Sequence, residues 1–135
     1  MNPRVVMSLP TEDRRRSYDF YRGLGFEPIG NEAEDGVPEP LQFRLDTNTS
    51  LMFIPTGGFG WVLGGRDVAA PESSECVLSL RLEDAQAVRA CVQRIAAFGG
   101  TVITEPSQQD WGFTAVAADP DGHVWQLIAD PVVAD

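Results

Sequence analysis

Few residues in this chain could do chemistry, and each sits in a telling place. His123 is the single histidine of the sequence. An imidazole can serve as a metal ligand or a general base near neutral pH. Here, however, it directly follows Asp119-Pro120-Asp121-Gly122, which is tight-turn chemistry. Its expected role is that of a turn residue. Cys76 falls in an apolar run and Cys91 on an apolar helical stripe. Both read as reduced core residues rather than as a nucleophile or a disulfide. The carboxylates gather in turns and helix starts, and none forms an obvious acid–base couple. Thr56 to Gly65 is rich in glycine but lacks G-K-[ST] and a strand-to-helix setting, so it reads as a flap or plain linker and not as a phosphate loop. Arg14-Arg15-Arg16 reads as a solvated face. Arg44 is the more promising cation. Leu41-Gln42-Phe43-Arg44-Leu45 alternates apolar and polar, which turns Gln42 and Arg44 away from the core. A guanidinium there offers a fork for a carboxylate or phosphate. The competing role is an ion pair at a rim.

The elements that must position these residues come in two copies. Val6-Met7-Ser8-Leu9-Pro10-Thr11-Glu12-Asp13 follows the pattern V-x-S-L-x-x-E-D, and Val77-Leu78-Ser79-Leu80-Arg81-Leu82-Glu83-Asp84 repeats it. Each copy precedes a helix-like stretch that ends in glycine. In the first, Thr11 is a candidate cap, and Ser17, Phe20, Tyr21 and Leu24 fall on one helical face. In the second, Val88, Cys91, Val92 and Ile95 do so. The far ends also correspond: Asp46 to Ile54 aligns with Asp119 to Leu127, which sets Phe53 opposite Gln126. The order read from each half is β-α-β-β-β, with Pro106 to Gly112 as a loop. A repeat of this size governs the choice of fold.

With 135 residues, each half is marginal for burying a core alone, so one domain of two modules is expected. The modules span about residues 1–65 and 72–135, with the boundary near residue 70. The net charge of −10 disfavours nucleic acid and anionic lipid as partners. No stretch has secretory or membrane-spanning length, so a cytoplasmic setting is expected.

Two such units resemble the vicinal oxygen chelate superfamily, which includes glyoxalase I, bleomycin-resistance proteins, fosfomycin-resistance enzymes and extradiol dioxygenases. The residues that carry the resemblance are Ser17-Tyr18-Asp19-Phe20-Tyr21 with Leu24-Gly25-Phe26, then Phe98-Gly99-Gly100, then Asp119-Pro120-Asp121-Gly122-His123. Leu9-Pro10, Trp111-Gly112-Phe113 and Val124-Trp125 look like a bacterial glyoxalase-like group. The resemblance implies an α+β fold of tandem βαβββ modules, with a cupped mixed sheet around a cleft. It also implies pairing into a homodimer, which would cover sheet edges.

Metal-dependent relatives place His, Gln or Glu on the first and last strands of each unit. Carried over by motif, those positions fall on Val6 and Phe53 in the first unit. In the second they fall on Val77 or Glu75, and on Gln126. Glu75 and Gln126 are then the only candidate ligands, too few for a tight site. No cofactor is expected. The resemblance and this donor set point to a metal-independent protein that binds a small molecule, acidic or aromatic in character. The alternative is a glyoxalase-like lyase or dioxygenase-related enzyme with a degenerate metal site, and no catalytic residue stands out. Alternation assigns Arg44, Gln42, Ser8, Ser79, Phe53 and Gln126 to the cleft. Trp111 and Phe113 are added as aromatic walls, and Trp125 is expected under the helix.

Overall fold

The structure is a computed structural model and describes residues 3–131. The chain divides into two compact units, Met1–Ala70 and Pro71–Asp135. Each contains a four-stranded mixed sheet with a helix against it, an α+β arrangement of two βαβββ modules.

The first unit runs β1 (Val5–Thr11), α1 (Arg14–Gly23), β2 (Glu27–Ile29), β3 (Leu41–Asp46), β4 (Thr49–Pro55) and α2 (Thr56–Val62). Its sheet order is β1-β4-β3-β2, with β1 and β4 parallel and the other pairs antiparallel. Asp13, not Thr11, caps α1: its carboxylate accepts from the Arg16 amide at 3.1 Å, satisfying an otherwise orphaned donor. The Thr11 hydroxyl instead meets the buried Ser17 hydroxyl at 2.7 Å. The helix buries Tyr18, Phe20 and Tyr21. It closes through Gly25, whose φ of 96° lets the Phe26 amide reach back to the Tyr21 carbonyl at 3.0 Å. Beneath it, the Tyr21 ring lies 4.8 Å from Phe53 and 5.6 Å from Phe43. Arg14 clasps the 31–40 loop to α1. It pairs with Asp35 at 2.9 Å and with Glu39 at 3.1 Å, and donates to the carbonyls of Val37 and Pro38.

Thr56 to Val62 was expected as part of a flap or linker and is helical instead. Three glycines in seven residues disfavour a helix. Phe59 offsets that cost by burying its ring, to 8% exposure, as α2 packs on β1 and β4. Trp61 on the same helix is 87% exposed.

The second unit runs β5 (Leu78–Leu82), α3 (Ala85–Ala97), β6 (Thr101–Gln109), β7 (Gly112–Ala118) and β8 (Val124–Ala129), with sheet order β5-β8-β7-β6. Asp84 caps α3 by accepting from the Ala87 amide at 2.8 Å. Gly99, with φ 100°, ends the helix, and the Gly100 amide returns to the Ile95 carbonyl at 2.8 Å. Val88, Val92 and Ile95 face inward, over Ala115, Ala117, Trp125 and Leu127, all buried. Much of the expected 106–112 loop is strand, because β6 extends to Gln109 and pairs with β7 down to Gly112. Cys76 precedes β5 and is exposed, so it is not the strand core residue expected. Cys91 is half-buried on α3. Among the described residues, no helix is long and apolar enough to cross a membrane.

Candidate functional site

Residues paired across neighbouring strands share a face of the sheet, so register decides which side chains leave the helix-covered core. In the first unit, Leu41 pairs with Phe53 and Phe43 with Leu51. Leu41, Phe43, Leu51 and Phe53 are all essentially inaccessible. Phe53 therefore belongs to the core under α1. Its expected place beside Arg44 is corrected. The far face of this sheet carries two rows. Val6, Ser50, Arg44 and Glu27 form one; Ser8, Met52, Gln42 and Ile29 form the other. Arg44 stands opposite Glu27, Nε to Oε2 3.9 Å, with side chains 43% and 71% exposed. The rim ion pair is what the structure contains.

In the second unit the far face has the same plan. Ser79, Gln126, Val116 and Thr104 form one row; Arg81, Ile128, Thr114 and Ser107 form the next. The Ser79 hydroxyl donates to Gln126 Oε1 at 3.1 Å. Arg81 pairs with Asp130. Phe113 pairs with Ala129 on the opposite, α3-covered face, where the Arg89 guanidinium stacks 4.8 Å from its ring centroid. It is not a far-face wall. Trp111 sits in the turn between β6 and β7, 58% exposed. The next residue must be glycine: Gly112 has φ 147°, and a Cβ there would collide with the Ala129 carbonyl.

The two units also correct the correspondence of their last strands. Met52 lies beside Ser8 and Gln42 as Gln126 lies beside Ser79 and Val116. Met52, not Phe53, is thus the counterpart of Gln126. The pairs Arg44–Ser50 and Ala118–Val124 are equivalent and are joined by connections of equal length, so Asp46 corresponds to Pro120 and not to Asp119.

These positions do not fit a metal. The first-strand and last-strand side chains paired on the far faces include Val6, Ser8, Ser50 and Met52 in one unit, and Ser79, Arg81, Gln126 and Ile128 in the other. Divalent ions need several nitrogen, oxygen or thiolate donors. Hydroxyls, a thioether and one amide do not supply them, and the amide oxygen is already engaged by Ser79. Glu75 is exposed and lies before β5. Asp119, Asp121 and His123 do bring donor atoms within 4.8 Å of one another. There, however, Asp119 Oδ1 accepts the amides of Asp121 (2.9 Å) and His123 (2.8 Å) and so builds the β7–β8 turn.

A family model described as the glyoxalase/bleomycin resistance protein/dioxygenase superfamily matches residues 4–127. The chain belongs to this superfamily. No curated protein matches it. Among solved structures, a hypothetical protein from S. aureus is similar over 96% of this chain and 94% of its own, with TM-score 0.79 and 22% identity. A glyoxalase-related enzyme from Fulvimarina pelagi is similar over 100% and 95%, with TM-score 0.79 and 21% identity. TnmS3, an antibiotic binding protein from Streptomyces sp. CB03234, is similar over 97% and 98%, with TM-score 0.63 and 24% identity. At such identities these likenesses establish the fold of this superfamily member.

Proposed function

We propose that this superfamily member binds a small organic molecule on the far faces of its sheets and needs no metal to do so. The observation that carries this reading is the donor set just described. At the strand positions where metal-dependent relatives are expected to hold ligands stand Val6 and, after the corrected correspondence, Met52 in the first unit, and Gln126 in the second. The likeness to an antibiotic binding protein accords with binding, as the likeness to a glyoxalase-related enzyme accords with the alternative. The alternative, a lyase using a degenerate metal site, would rest on Glu75 and Gln126, and Ser79 already competes for the Gln126 oxygen. A cytoplasmic homodimer and the module limits of about 1–65 and 72–135 are parts of the same reading.

The ligand is apolar or aromatic in this account. The expected anion partner, Arg44, has its charge opposed by Glu27. Thermal-shift screening of aromatic compounds, with and without chelator, tests the reading. Stabilisation by a ligand should be unchanged by chelator. Loading with zinc, nickel, manganese and iron followed by elemental analysis should find no stoichiometric ion. One ion per chain, lost in Gln126→Ala, would show the donor argument to be wrong.

A further inference from the structure

The far face of the second unit contains an unsatisfied group that points to ligand chemistry. Thr114 is 7% exposed, and its hydroxyl is buried without a hydrogen-bond partner. A buried hydroxyl normally finds one, because the desolvated group is otherwise left without compensation. Thr114 pairs with Ile128, one step along from the Val116–Gln126 pair. Thr114 and Gln126 are therefore diagonal neighbours on one face. Ser79 holds the Gln126 oxygen at 3.1 Å, which turns the amide NH2 away from serine, and among the described residues that nitrogen has no recorded acceptor. Two unused hydrogen-bonding groups thus share a face with Val116 and Ile128. The charge on this face is already spoken for, since Arg81 is paired with Asp130.

We infer that Thr114 is a specificity-determining residue that, with Gln126, takes a neutral hydrogen-bond acceptor, such as a carbonyl, on an otherwise apolar ligand. The inference rests on the binding function proposed above and names its ligand class. An anion is disfavoured, because Arg81, the cation in these rows, is paired with Asp130 and the chain carries −10 overall. A wholly apolar molecule leaves the hydroxyl unpaired. A carbonyl satisfies both groups, and a site built this way rejects an analogue lacking the acceptor. The hydroxyl is covered here, so binding includes a side-chain rearrangement that uncovers it.

Three matched compounds test this by calorimetric titration of the full chain: 2-acetylnaphthalene, 2-ethylnaphthalene and 2-naphthoate. The acetyl compound should bind about tenfold more tightly than the ethyl compound, the scale of one neutral hydrogen bond. Thr114→Val, which keeps the shape and removes the hydroxyl, should abolish that preference, and Thr114→Ser should keep it. Thr114→Val should also melt at a higher temperature than the wild type, because an orphan group is gone; this readout does not depend on binding. A preference that survives Thr114→Val, or tightest binding of the naphthoate, overturns the inference. Equal binding of acetyl and ethyl compounds overturns it while leaving small-molecule binding intact. Failure of all three compounds to bind overturns both.

Discussion

Arg44 and Glu27 face each other across neighbouring antiparallel strands, Nε to Oε2 3.9 Å, on the side of the sheet away from α1. Both side chains are well exposed, so water screens the pair and its net worth is small. Arg44→Met should therefore change stability by less than about 1 kcal/mol, measured by urea denaturation. A larger loss would mean that Arg44 does more than pair with its neighbour.

Phe53 and its chain neighbour Met52 separate the two faces of the sheet. Phe53 is 1% exposed and lies 4.8 Å from the Tyr21 ring, whereas Met52 is half-buried on the far face. Phe53→Ala should cost about 3–5 kcal/mol through lost burial and the cavity left behind. Met52→Ala should cost about 1 kcal/mol or less. Equal costs in equilibrium unfolding would mean that the register of β4 is wrong.

The Arg14 clasp gives a pH-dependent expectation. The Asp35 carboxyl is lowered below its ordinary value, first by the Val37 amide that donates to it at 3.0 Å and then by Arg14. A lowered carboxyl stabilises the folded state above its ordinary range, and that contribution is lost as pH falls through the lowered value. Asp35→Asn should remove this part of the acid sensitivity, seen as a flatter urea midpoint on acidification. Arg14→Ala, which also frees two loop carbonyls, should cost about 1–3 kcal/mol at neutral pH and speed hydrogen exchange across residues 31–40.

The cysteines should react unequally. Cys76 is exposed, while burial pushes the Cys91 thiol up, with Arg94 offsetting part of the shift. The thiolate is the reactive form. Iodoacetamide at neutral pH should label Cys76 first, as read by peptide mass spectrometry, and Cys91 should follow only as the pH is raised. Faster labelling of Cys91 would contradict its burial.

The doubled V-x-S-L-x-x-E-D pattern, the two helical stripes and the glycine closures at Gly25 and Gly99 are local signals. They sufficed for the paired βαβββ plan because helix caps and strand alternation depend on near neighbours in the chain. The placement of Trp125 in the core followed from the same alternation. What the sequence could not decide was which side chains share a face. An alignment keyed to Asp46 and Asp119 makes Phe53 the partner of Gln126, but the strand pairing matches Asp46 with Pro120 and Met52 with Gln126. One residue of slip exchanges every side chain between faces, and an offset of this kind leaves no mark in composition. The Arg44–Glu27 pairing, the turning of Phe113 toward Arg89 and the unpaired Thr114 hydroxyl likewise arise from strands brought together by folding. Likewise, α2 forms against the propensity of its glycines because Phe59 finds a buried place against β1 and β4. That gain belongs to tertiary packing and not to the segment itself.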